Sequence, residues 1–315
     1  MKKYIACLLI VCLAACLCAC GGEHTGSGKP RVVCTLFPQY DFVRQIAGDL
    51  ADTVLLLPPG TESHAFDPTP TDILNIGKAD LFIYIGDAME TWAGGVMAEI
   101  DRDKTVVLNV SDALGLHLST HADHADEHAS DEEDGIDPHI WTSPVLAKRM
   151  AQLLLDTLME LDAQNADAYA QNAGVLFAQL TQLDKTFRAV TANAPLHTIV
   201  VGSRFALRNF TEEYGLDYLA AFDSCTEESE PSAAALASIV QAIETQNLPV
   251  VFFEELIVPT TAQTIAAETG TQTLLFHSCH NVTRDEFDAG ETYVTLMQQN
   301  ARNLAQALRA NEEAA

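Results

Sequence analysis

Arg31 to Pro70 reads RVVCTLFPQYDFVRQIAGDLADTVLLLPPGTESHAFDPTP. The opening Arg31-Val-Val-Cys-Thr-Leu-Phe is a short, β-branched apolar run, the pattern of a buried strand. A helix is expected from about Asp41 to Ala51. Thr53 to Leu57 returns as a second strand, stopped by Pro58-Pro59-Gly60. Strands alternating with helices, bounded by Gly and Pro, predict a parallel sheet with helices on both faces. Ligands of such sheets bind beyond the carboxyl ends of the strands. His64 lies there, in a loop braced by Pro68 and Pro70, well placed to present a nitrogen into a cleft.

The alternation continues outward. Asp72 to Ala79 reads as a short helix, Leu81 to Ile85 as a third strand ending at Gly86, and Thr105 to Val110 as a fourth. Helical spacing follows from Pro144 to Leu161 and again from Ala166 to Ala192, with Pro195 as the stop. The second of these would span roughly 35–40 Å at about 1.5 Å per residue, a stiff connector. The second half then repeats the first. His197–Val201, Leu216–Ala221, Val250–Phe253 and Thr273–Phe276 read as strands, with helices near Arg208–Glu213, Ala233–Gln246 and Thr260–Glu268 and a closing helix from Glu291 to Arg309. The chain is too long for one core of ordinary size. The expected fold is α/β: two lobes with parallel sheets flanked by helices, 31–143 and 195–315, joined through the helices of 144–194. Glu254, Glu255, His277 and His280 fall immediately after strands of the second lobe.

His117 to Pro144 reads HLSTHADHADEHASDEEDGIDPHIWTSP. His117, His121, His124 and His128 stand among Asp and Glu, and His-rich tracts of this composition read as metal binding. Imidazole and carboxylate suit a borderline divalent cation such as Zn²⁺. Leu118, Ala122 and Ala125 are the only apolar residues of 117–128, too few to fix a geometry, so the tract is expected to be a weak metal collector, with the ordered site built elsewhere.

Lys2 and Lys3 precede an apolar run from Tyr4 to Ala19, placed as an export signal (residues 1–20) and too short to span a bilayer comfortably. It ends Leu17-Cys18-Ala19-Cys20-Gly21, which looks like a bacterial lipobox with Cys20 as the lipidated first mature residue. Residues 21–30 are a small, polar tether. The chain is thus expected outside the cytoplasm, anchored by acyl chains. Losing Lys2 and Lys3 takes the net charge from −27 to −29, which repels nucleic acid and favours cationic ligands. Of the 8 cysteines, only Cys34, Cys225 and Cys279 lie beyond Cys20. In an oxidising compartment one disulfide and one leftover thiol are expected. Cys34 sits inside a strand-like run, which leaves Cys225–Cys279 as the pair.

Taken together, these residues resemble the substrate-binding lipoproteins of bacterial ABC transporters for zinc and manganese, over nearly the whole mature length. The matching segments are Leu56-Leu57-Pro58-Pro59-Gly60 with Ser63-His64-Ala65-Phe66-Asp67-Pro68-Thr69-Pro70, Lys78-Ala79-Asp80-Leu81, and Asp137-Pro138-His139-Ile140-Trp141-Thr142-Ser143-Pro144. Tyr214-Gly215-Leu216, Glu268-Thr269-Gly270 and Tyr293 to Asn300 match as well. The resemblance implies two α/β lobes joined by one long helix, metal in the cleft between them, and partnership with a membrane permease and its ATPase. It also implies a monomer. A His-rich acidic loop before the second histidine motif is typical of zinc-preferring members.

By the same resemblance His64 and His139 match the two ligands of the first lobe. Members place a third His, or a Glu in manganese types, about ten residues before Tyr-Gly-Leu. Here that position is Arg204, and guanidinium, with five donors and no acceptor, cannot ligate a cation. The usual Asp after the last strand aligns with His277. The implied Zn²⁺ set is therefore His64, His139 and His277. Glu255 is either the fourth ligand or the partner of Arg204, with water then completing the site. His280 is read as a neighbour of the ligands or a surface residue, and Glu254 as facing away by strand alternation. Mn²⁺ or iron is the alternative cargo, although Mn²⁺ prefers carboxylate oxygen. From other classes, a zinc hydrolase would use the same histidines with Glu255 as base, but no compact H-E-x-x-H motif is present. A metal-stabilised adhesin is the remaining rival.

Overall fold

The computed structural model describes residues 28–64, 66–116, 137–192, 194–222 and 231–311. The His117–His128 tract, Cys20 and Cys225 lie outside these.

The first sheet is formed by β1 (Arg31–Cys34), β2 (Asp52–Leu55), β3 (Leu81–Tyr84) and β4 (Val106–Asn109). All pairings are parallel and the order is β2-β1-β3-β4. Parallel neighbours need crossovers, supplied by α1 (Phe37–Ala47), α2 (Pro70–Ile76) and α3 (Ala93–Met97); the short α4 (Val110–Ala113) follows β4. The start of α1 lies earlier than the sequence suggests, because Pro38 in its first turn tolerates the missing N–H there and the Gln39 side chain accepts from the Leu36 N–H at 2.8 Å. Thr69 and Asp72 form a reciprocal cap at the start of α2, which fixes the exit of the His64 loop.

The second sheet repeats the order with β5 (Thr198–Arg204), β6 (Asp217–Phe222), β7 (Val250–Phe253) and β8 (Gln272–Leu275), arranged β6-β5-β7-β8 and again parallel. Between the lobes run α5 (Pro144–Leu161) and the long α6 (Ala166–Ala192); at about 1.5 Å per residue, the 27 residues of α6 reach about 40 Å. Helices α7 (Arg208–Tyr214), α8 (Ala233–Gln246), α9 (Thr260–Thr269), α10 (Arg284–Ala289) and α11 (Tyr293–Ala307) complete the second half. Among the described residues no helix is long and apolar enough to cross a membrane.

Strand alternation distributes the core. Val32 and Cys34 of β1 and Leu81 and Ile83 of β3 join one large cluster, while Val33, Phe82 and Tyr84 face a smaller one with Ile76 and Val96. The large cluster runs without a break from the first sheet through Leu176, Leu180, Leu183 and Phe187 of α6 to Phe210, Phe252 and Phe276. The long helix therefore buries a face against both lobes. The outer face of the second sheet packs separately, Val200 and Val251 against Ile239, Ile243 and Ile265.

Candidate metal centre

Apart from His139, the residues of the site come from the carboxyl end of a strand or the segment that follows it. The loop after β2 carries His64, and His139 precedes the turn into α5. The segment from His277 to Val282, after β8, crosses to the first lobe. There the Phe37 N–H donates to His280 O (3.2 Å), the Gly60 N–H to Val282 O (2.7 Å), and Asn281 Nδ2 to Pro58 O and Thr61 O (2.8 and 2.9 Å). Trp141 Nε1 donates to Ser278 O (2.8 Å), and Asn300 of α11 clamps both backbone groups of His277 (2.7 and 2.8 Å).

The crossing brings His280 to the two histidines of the first lobe. One nitrogen from each of His64, His139 and His280 lies within 4.8 Å of the others. The ring centroids stand 5.5 Å (His64–His139), 5.2 Å (His64–His280) and 4.6 Å (His139–His280) apart. His139 and His280 are buried and His64 is half-buried. Trp141, fully buried, backs the cluster with its ring 5.1 Å from that of His280.

Outer partners hold the rings. His139 Nδ1 lies 2.6 Å from Asp137 Oδ1, a contact that orients the ring. His280 Nδ1 is hydrogen-bonded to Ser278 Oγ, whose hydroxyl also lies 2.6 Å from Glu255 Oε1. Glu255 Oε2 accepts from the Ser278 N–H at 2.7 Å. His280 Nε2 is buried and has no hydrogen-bond partner. Burial, reinforced by His139 and His64, holds the His280 imidazolium well below its usual range. The ring stays neutral, the form that ligates metal.

His277 does not belong to this cluster. Its Nδ1 accepts from the Cys279 N–H (3.0 Å) and faces Glu255 at 3.6 Å, while its Nε2 faces Glu286 at 3.7 Å. The reason is local: Cys279 adopts φ +63°, a left-handed conformation unusual for a side chain with Cβ. That turn sends His277 one way and His280 the other, so the residue read as a neighbour joins the cluster and the residue read as a ligand leaves it.

Three further expectations change. Glu255 stands behind His280, with both oxygens engaged by Ser278, and is neither in the cluster nor paired with Arg204. Arg204 instead reaches across the cleft, its Nη1 3.2 Å from Glu62 Oε1. Glu254 does not face away, because β7 ends at Phe253 and alternation lapses with it; its side chain lines a small cavity with His64 and His280. Finally, Cys279 is a free thiol buried in the main core, as is Cys34, and Cys225, the partner expected for Cys279, lies outside the described residues. Burial raises the Cys279 thiol above its usual range, which disfavours the metal-binding thiolate.

Ser278, Asp137 and Trp141 also belong to the site, beyond the residues that the sequence motifs single out. Asp137 and Trp141 flank His139 in sequence, and Ser278 lies between two histidines; that adjacency is the signal that could have found them.

Three comparisons bear on this site. Residues 32–307 match the family described as zinc-uptake complex component A, periplasmic. The chain is similar to the high-affinity zinc uptake system protein ZnuA of Bacillus subtilis, 32% identical and covering 98% of both chains. Its fold is similar to the Zn(II)-bound ZnuA-like domain of Streptococcus pneumoniae AdcA, at TM-score 0.73 and 28% identity, covering 89% of this chain and 99% of that one. It is also similar to the laminin binding protein Lmb of Streptococcus agalactiae, described as bifunctional with adhesin and metal transporting activity. There the TM-score is 0.73 at 26% identity, over 89% and 99% of the chains.

Proposed function

The chain belongs to the family of periplasmic A components of zinc-uptake complexes, and on that premise we propose that it captures Zn²⁺ outside the cytoplasm through His64, His139 and His280. It then passes the ion to an ABC permease driven by its ATPase. Zn²⁺ is cargo, and no chemistry is done on it. One observation carries the reading: three imidazoles from two lobes converge within 4.8 Å, and one of them has a buried Nε2 that hydrogen-bonds to nothing. An orphaned buried polar atom costs stability unless a ligand satisfies it. Three neutral nitrogens at this spacing suit Zn²⁺ better than Mn²⁺, whose preference is for oxygen.

In the same reading, Cys20 carries the lipid that holds a monomeric receptor at the membrane surface. The acidic His117–His128 tract raises the local cation concentration, an effect that salt weakens.

The test is a chelator-competition titration of the full chain with Zn²⁺. His64→Ala, His139→Ala and His280→Ala should each weaken the tight site by roughly 100-fold or more, since a lost ligand costs at least as much as the 10–100-fold typical of its outer partners. Deleting 117–128 should remove only weak sites. His277→Ala retains the site if its stability is preserved. Absence of a tight equivalent in the parent chain, or its survival in the three alanine variants, would overturn the proposal.

A further inference from the structure

His64 is the one ring of the three that is only half-buried, so its loop needs anchors of its own. The loop enters at Gly60 and Thr61, held by Val282 and Asn281, and leaves at the Thr69–Asp72 cap. Between these ends, Glu62 Oε1 accepts from the His64 N–H at 3.2 Å and from Arg204 Nη1, also at 3.2 Å. One oxygen thus couples the backbone of a first-lobe histidine to a fixed charge on the second lobe. The two side chains are 20% and 30% exposed, so the pair is shielded from part of the solvent that weakens surface ion pairs. Arg204 reaches this place through an irregularity. Strict alternation along β5 would keep it on the face of Val200, against Ile239 and Ile265. The register of β5 on β6 shifts between Val201 and Arg204, and such a shift re-aims a side chain.

Building on the zinc-receptor reading, we propose that Arg204 and Glu62 are positioning residues that hold His64 in place for zinc capture, with neither touching the ion. Glu62 contributes no atom to the 4.8 Å cluster, and guanidinium has no acceptor to give. The pair does for His64 what Asp137 does for His139 and Ser278 for His280. It differs in acting on the backbone, and from across the cleft. Glu62 also offsets a cost. Arg204 is near enough to His280 for its charge to act there, and unneutralised it would oppose a divalent cation.

The test is Zn²⁺ affinity by chelator competition on the full chain, purified in detergent, at fixed ionic strength. Arg204→Gln should weaken the tight site by roughly 10-fold, the low end for losing a ligand's outer partner. Glu62→Gln, which leaves Arg204 unneutralised, should lose at least as much. Arg204→Lys, which keeps the charge and a donor, should recover most of the affinity. The sign is diagnostic, because removing a positive charge beside a cation site would by itself tighten binding. A tighter or unchanged site in Arg204→Gln therefore overturns the proposal. In a His64→Ala background Arg204→Gln should cost nothing further, since its effect passes through His64. An undiminished loss there would mark a general effect on the fold and overturn the proposal as well. Should Arg204→Gln fold poorly, Glu62→Gln decides: an affinity equal to the parent's sinks the assignment. Failure of the parent to bind Zn²⁺ tightly would instead strike the receptor reading itself, and this assignment with it.

Discussion

Ser278 does two jobs with one hydroxyl. It links Glu255 to His280 Nδ1, which fixes the tautomer that turns Nε2 toward His64 and His139. Its backbone meanwhile accepts from Trp141 and donates to Glu255. Removing only the hydroxyl leaves the backbone ties and frees the ring. Ser278→Ala is therefore expected to weaken Zn²⁺ binding by about 10-fold or more, in line with other losses of outer partners, while thermal unfolding changes little. A chelator-competition titration beside a melting curve checks both halves. An unchanged affinity would mean that packing against Trp141, and not the hydroxyl, orients His280.

At the scale of elements, the second lobe depends on a close approach at Gly202. A Cβ placed there would lie 2.6 Å from Ala262 Cα, so β5 and α9 touch through a glycine that any side chain would push apart. Gly202→Ala should cost about 1–3 kcal/mol, the usual penalty of overpacking, read as a lowered midpoint in denaturant unfolding. The elements themselves were legible. Strand–helix alternation, the prolines at 58, 59, 144 and 195, and the spacing of Leu176, Leu180, Leu183 and Phe187 gave both sheets and the long helix. The histidine motifs around His64 and His139 were legible for the same reason, each lying in a short, punctuated stretch. The second lobe's contribution was not. It turns on the backbone of Cys279, whose left-handed φ no pattern of side chains announces, and on Arg204 meeting Glu62 across 142 residues of chain. Period-two reasoning also failed at Glu254, since it holds only while the strand lasts.

At the scale of the whole molecule, stability and pH are coupled through a carboxylate outside the histidine cluster. Glu90 is buried at the carboxyl edge of the first sheet, where it accepts from the Thr35 hydroxyl and from the Ile85 and Gly86 N–H groups. Burial pushes its pKa up to about 7, against the lowering effect of those donors. A carboxyl raised on folding is most favourable while protonated. Its contribution is complete below the ordinary value near 4.5 and is lost as pH rises through 7. The difference is about 3 kcal/mol, to order of magnitude. Unfolding free energies measured between pH 4.5 and 8 should fall accordingly, and Glu90→Gln should flatten that slope even if it lowers stability throughout. A parent chain equally stable across the interval would contradict this. The segment from His277 to Val282 carries a different consequence. It is tied to the His64 loop by the Gly60–Val282 and Asn281 hydrogen bonds, and to the turn after His139 through Trp141. The three histidines therefore sit on one braced scaffold, with little reorganisation left to do when Zn²⁺ arrives. Such a site discharges slowly by simple lobe opening, because opening would first have to peel the brace. Dwell time would then be set by whatever competes for the imidazoles, a proton or an incoming ligand, and unloading becomes an exchange reaction rather than a hinge motion.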